Sequence, residues 1–122
     1  MKRVLIATAL ALAVVGCNTT RIQNVQDQPI SLRAQQGDVG AMIERTLARR
    51  GWTVQARRDG AVDGYLTGRD YRADITVNYT QTSYSIVNRG SEGLDQRGRR
   101  IHENYNRWIQ TLNHDLARAL GR

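Results

Sequence analysis

The spacing of apolar positions changes several times along this chain, and each change marks an element. Val39, Met42, Ile43 and Leu47 recur at the three- and four-residue spacing of one helix face, with Glu44, Arg45 and Arg49 on the other side. Asp38 stands where a helix N-cap belongs. Gly51 stands where a left-handed residue ends a helix. The period then shortens to two. Trp52, Val54 and Ala56 alternate with Thr53, Gln55 and Arg57, and Asp59-Gly60 signals a tight turn. In the next run Val62 and Leu66 share one face, with Asp63, Tyr65, Thr67 and Arg69 on the other. Tyr71, Ala73, Ile75, Val77 and Tyr79 alternate with Arg72, Asp74, Thr76 and Asn78, and this is the clearest strand of the chain. After a turn at Thr80 to Thr82, Tyr84 and Ile86 alternate with Ser83, Ser85 and Val87. Asn88 to Gly98, with three glycines, reads as a loop.

From Arg99 the spacing is helical again. Ile101, Tyr105, Trp108, Ile109, Leu112, Leu116 and Leu120 form one apolar stripe, which puts Trp108 mid-helix and facing the sheet. Arg118 and Arg122 lie near the end of that helix, where positive charge suits its dipole. The short links between strands indicate an antiparallel meander. The expected fold is α+β: a meander of about four strands, a possible fifth short edge strand at Pro29 to Arg33, and two amphipathic helices packed on one face. With 122 residues the chain has room for one domain, expected over residues 29–122.

The N-terminal region follows a different logic. Lys2 and Arg3 precede an apolar run from Val4 to Val15 interrupted only by Thr8, and small Gly16 follows. A charged start, a short apolar stretch and a small residue make an export signal over residues 1–16. The apolar run falls short of the ~20 residues a membrane-spanning helix needs. Val14-Val15-Gly16-Cys17 resembles the lipobox of bacterial lipoproteins, although Leu is commoner at its first place and Ala or Ser at its second. The resemblance implies a diacylglyceryl group on the Cys17 thiol and, in Gram-negative species, a further acyl chain such as palmitate on its amine. Cys17 is the only cysteine, so no disulfide forms within the chain, and lipidation would block a thiol that is a liability in an oxidising compartment. Asn18 to Gln28 is polar, with Ile22 and Val25 as isolated apolar residues. It reads as a flexible tether, so that residues 17–28 would link lipid to domain.

A second resemblance runs through most of Gly37 to Leu120. Gly51-Trp52, Ile75 with Tyr79, Tyr84-Ser85-Ile86 and the nonapeptide Ile101-His102-Glu103-Asn104-Tyr105-Asn106-Arg107-Trp108-Ile109 are similar to a pattern in a group of small bacterial lipoproteins. The resemblance implies the class and no mechanism.

Charge adds less. The chain carries 18 basic and 11 acidic residues; without Lys2 and Arg3, 16 and 11 remain, a net +5, and every remaining base is arginine. Arg57-Arg58 and Arg97, Arg99 and Arg100 form basic knots. Export argues against nucleic acid as their partner and leaves anionic lipid or lipopolysaccharide phosphates, or simple solvation.

Candidate chemistry is sparse. The sequence holds no G-x-S-x-G, no phosphate-binding G-x-x-x-x-G-K and no H-E-x-x-H. His102 and His114 would lie ~18 Å apart along one helix, too far to share a metal. No catalytic residue, metal or cofactor is therefore expected. Tyr65, Arg69 and Arg72 on the open sheet face could stack on and bind a glycan or anionic polymer, against the simpler expectation of a solvated face whose charges pair across strands. His102 and Asn106 could form a small hydrogen-bonding site, or tie the last helix to the sheet or the preceding loop. The expected function is a noncatalytic binding module anchored to the envelope by lipid on Cys17, in the outer membrane facing the periplasm, with an envelope protein, peptidoglycan or anionic lipid as partner. A small lipid- or glycan-binding carrier is the alternative.

Overall fold

The computed structural model describes residues 18–122. The export signal expected over residues 1–16, and Cys17, lie outside the described residues. In chain order the elements are β1 (Thr19–Arg21), β2 (Val25–Pro29), α1 (Leu32–Gln35), α2 (Val39–Arg49), β3 (Thr53–Arg58), β4 (Ala61–Thr67), β5 (Arg72–Tyr79), β6 (Ser83–Glu92), β7 (Arg100–His102) and α3 (Glu103–Leu120). Strands β2-β6-β5-β4-β3 form an antiparallel five-stranded sheet in that order, and β1 pairs with β7 in a separate antiparallel ribbon. Helices α2 and α3 pack on each other and on the sheet. The α+β meander with helices on one face is thus the fold of the chain.

Local chemistry explains the helix ends. The Asp38 carboxylate accepts from the Ala41 amide at 3.0 Å, which satisfies one of the free amides at the start of α2. At the other end the Gly51 amide donates to the Ala48 carbonyl and the Trp52 amide to the Leu47 carbonyl, with Gly51 at φ +90°. That pair of reversed bonds requires a left-handed residue and turns Trp52 back into the core. Between the layers Ile43 and Leu47 of α2 and Ile109, Leu112 and Leu116 of α3 meet Val62, Ile75, Val77 and Ile86 of the sheet, all at 2% exposure or less. Each such side chain contributes roughly 1.5–3 kcal/mol on leaving water. Tyr84 and Tyr105 are buried with them, and burial pushes both hydroxyls up to about 12. Tyr84 Oη donates to Asn113 Oδ1 of α3 at 2.7 Å, so its buried polar tip is satisfied.

The N-terminal stretch departs from expectation. Residues 18–28, read as a flexible tether, supply β1 and most of β2. Ile22 and Val25, isolated in a polar run, both pack against the core. The expected edge strand at Pro29 to Arg33 lies a few residues earlier, as β2 on the edge of the main sheet, and Ser31 instead caps the single-turn helix α1. Proline at the last position of an edge strand needs no ladder partner for its nitrogen.

The C-terminal half departs in two places. Strand β6 runs on to Glu92 through a bulge against Asp74 and Ile75, so half of the presumed loop is strand. Gly93 follows at φ +72°, where a Cβ would sit 1.9 Å from the Asp70 carbonyl; only glycine lets the chain pass there. The stretch Arg100 to His102, expected as helix, is β7, and α3 begins at Glu103. Ile101 reaches the core from a strand. Trp108 is half-buried at the flank of α3 and stacks on Tyr71, ring centroids 4.8 Å apart. At 3.6 residues per turn it lies about 60° around the helix from Tyr105 and about 100° from Ile109, at the margin of the stripe.

Candidate functional site

The outer sheet face holds the most charge, and its geometry follows from two bulges. Val54 pairs with Gly64, yet Ala56 pairs with Asp63, so Gln55 is an extra residue in β3. The slip reverses the alternation beyond it. Arg57, expected on the open face, stands opposite core residue Val62 and reaches Asp38 at 2.6 Å and Glu44 at 3.7 Å on α2. Its hydrogen bond contributes to holding the Asp38 carboxyl below its ordinary value, after the larger effect of the Ala41 amide.

Asp63 keeps the outer face and is nevertheless 3% exposed. Arg58 forks onto both of its oxygens, Thr76 Oγ1 donates to Oδ1 at 2.6 Å, and Arg89 stands 3.7 Å away. The Arg58 hydrogen bond, with smaller help from Thr76 and Arg89, holds the Asp63 carboxyl below the usual range. Asp63→Asn should therefore lower stability at neutral pH by about 1 kcal/mol, a discounted figure because both arginines remain in contact with water. A depressed pKa gives stability that is complete above the unfolded value of about 3.9 and is lost as pH falls through the folded one. The gap between the urea midpoints of variant and parent should thus close below about pH 4.

Tyr65 and Arg72 are brought together, but with each other. The Arg72 guanidinium lies 4.0 Å above the Tyr65 ring and forks onto Asp74 at 2.9–3.2 Å. The Asp74 hydrogen bond raises the Arg72 pKa. The ring expected to stack on a ligand is covered on that side by the protein's own cation. Arg69 is exposed in the β4–β5 turn and makes no ion pair among the described residues.

His102 and Asn106 act on the backbone. His102 Nδ1 accepts from the Asn104 amide at 3.2 Å and caps α3. Asn106 is buried; its Oδ1 accepts from the Gln23 amide at 3.1 Å and its Nδ2 donates to the Arg21 carbonyl at 2.8 Å. The helix is thus tied to the chain just after β1.

One cleft was not legible in the sequence. Arg49, Arg50, Arg118 and Arg122 line a surface hollow of about 500 Å³ with Thr46 and Asp115, between the C-terminal turns of α2 and α3. Arg50 Nε donates to Asp115 at 2.6 Å and holds that carboxyl below its ordinary value. These residues stand 65 positions apart, so no local pattern joins them. Two helix C-termini explain part of the basic character, since their free carbonyls favour cations.

Comparison with known protein families, curated proteins and solved structures finds no match for this chain. Among the described residues no three His, Cys, Asp or Glu side chains gather as a metal site would require, and no helix is long and apolar enough to cross a membrane.

Proposed function

We propose that this protein is a noncatalytic binding module held on the cell envelope by lipid on Cys17. The observation that carries the proposal is the signal and lipobox ending at Cys17, directly ahead of a folded domain whose first strand starts at Thr19. Two or three acyl chains at about 0.8 kcal/mol per buried CH2 are enough to hold a protein on a bilayer. The resemblance of Gly51-Trp52, Ile75 with Tyr79, Tyr84-Ser85-Ile86 and the nonapeptide Ile101 to Ile109 to small bacterial lipoproteins points to the same class. A carrier would need open volume between helices and sheet, and that space is filled by Ile43, Leu47, Ile75, Ile109 and Leu112. Asp63, Arg72 and Asp74 of the sheet face are engaged by the protein's own side chains, which leaves that face little to offer a ligand. The basic cleft sits at the C-terminal end of α3, away from β7, and offers the surface for an anionic envelope partner.

Cys17→Ser should abolish membrane attachment and leave uncleaved precursor. Mass spectrometry of the mature parent should find an acylated N-terminal cysteine; an unmodified N-terminus at another residue would refute the anchor. Asn18, rather than aspartate, follows the cysteine. In a Gram-negative host this favours the outer membrane, and recovery in the inner-membrane fraction of a density gradient would count against that assignment.

A further inference from the structure

We propose that the β1–β7 ribbon is the face the domain lays on its membrane, with Arg21, Arg97 and Arg99 binding anionic phospholipid headgroups. The inference rests on the lipid anchor proposed above and adds an orientation and a lipid preference to it.

Chain length leaves little freedom. Thr19, the first residue of β1, follows Cys17 by two positions, a span of at most about 7 Å. The headgroup layer on each side of a bilayer is of similar thickness, about 5–7 Å. An acylated Cys17 at the base of that layer therefore brings the start of β1 to its outer edge. Strand β1 is itself fixed, by its pairing with β7 and by the Asn106 bonds to Arg21 and Gln23. The domain has no slack with which to stand away.

The ribbon so placed carries a dense positive charge. Thr20 pairs with Ile101, which is fully buried, while Arg21 pairs with Arg100, and all residues of the Arg97–Arg100 turn are exposed. Alternation along the strands sends Arg21 and Arg100 to the side opposite Ile101. Like charges directly across an antiparallel pair repel. Arg100 is partly accommodated, donating to the Thr19 carbonyl at 2.8 Å. Arg97 and Arg100 exchange backbone bonds at 2.9 and 3.0 Å across a turn with Gly98 at φ +59°, and the Arg99 carbonyl accepts from Ile22 at 2.7 Å, so the three arginines are held close to β1. Among the described residues Arg50, Arg57, Arg58, Arg72, Arg89 and Arg107 have carboxylate partners; Arg21, Arg97, Arg99 and Arg100 have none, as is true of six other arginines, but these four are gathered on one ribbon and its turn. Glu103 beside them in sequence is taken by Arg107. A cluster of unneutralised guanidiniums, forced by the chain against a bilayer, is matched by headgroup phosphates.

The test uses the full lipidated protein in vesicles of phosphatidylethanolamine alone and with one third phosphatidylglycerol. Arginine modification by phenylglyoxal is followed site by site by mass spectrometry. Each arginine at an anionic surface gains roughly fivefold in occupancy, so modification of Arg21, Arg97 and Arg99 should slow by about fivefold in the anionic vesicles and recover in high salt. Arg33 and Arg45, exposed on α1 and α2 and outside the basic cleft, should react alike in both. Flotation with the phosphatidylethanolamine vesicles tests the anchor separately. Protein that does not float removes the anchor and this inference with it. Protein that floats, but whose arginines slow uniformly or not at all, overturns the ribbon as the contact face and leaves the anchor standing.

Discussion

Trp52→Ala should cost about 3–5 kcal/mol of stability, and Trp108→Ala about 1–2 kcal/mol. The two substitutions remove the same atoms from different surroundings. Trp52 is 3% exposed, turned into the core by the reversed bonds at the end of α2. Its loss leaves a cavity in the core. Trp108 is half-buried and stacked on Tyr71 with an interplanar angle of 25°, so its truncation gives up one aromatic contact and part of a burial. Small domains have only about 5–15 kcal/mol in total, so the first variant should be close to unfolded and the second plainly folded. Urea melts followed by circular dichroism, which does not depend on the tryptophan removed, would rank them. Equal midpoints would mean that α3 is rotated to bring Trp108 fully inward.

Trp108 is less buried than a sheet-facing position in the stripe suggests, and the reason is angular. Tyr105, Trp108 and Leu112 are spaced as a stripe, but a stripe has margins, and spacing alone does not say which residue stands on one. The rest of the legible structure is the part with long periodic runs. The Asp38 cap, the Gly51 stop and the four meander strands from Thr53 to Val87 are all where pattern puts them. What pattern missed is short. Strands β1 and β7 have three residues each, too few for a period of two to register. Strand β2 is an edge, polar on its open side, and looked like a linker because only Ile22 and Val25 nearby are apolar. Bulges are invisible in composition, so simple alternation puts Arg57 on the wrong face; it also leaves Asp63 in open solvent, because it does not show the long side chains that fold over it. The site residues fared similarly. Alternation puts Tyr65 and Arg72 on the same face, but does not show that Arg72 covers the ring.

Asn106→Ala should cost about 1–3 kcal/mol and free the N-terminal strand. Asn106 is 6% exposed and satisfies two backbone groups, the Gln23 amide and the Arg21 carbonyl, that lie 83 and 85 residues away. Alanine provides neither partner, and water reaches them only if the segment lifts. Amide exchange at Gln23 and across β1 should accelerate at least about tenfold, while the central strands β4 and β5 keep their protection. The variant would recreate the loose linker that the polar composition of residues 18–28 suggests. Unchanged exchange at Gln23 would show that β7 alone holds the strand.

The pairing of β1 with β7 also sets an order of events. Thr19 finds its hydrogen-bond partner, Arg100, 81 residues later in the chain. A polypeptide threaded through a membrane N-terminus first must therefore wait for nearly all of itself to emerge before that strand can close. On the export route proposed above, Thr19 to Arg21 stay without their β7 partner throughout that delay, which leaves the N-terminal end of the chain open to enzymes that act on it. Once Arg100 to His102 arrive, the segment is zipped down and the opportunity ends. Maturation would thus be timed by topology, with the last part of the chain to cross acting as the latch on the first.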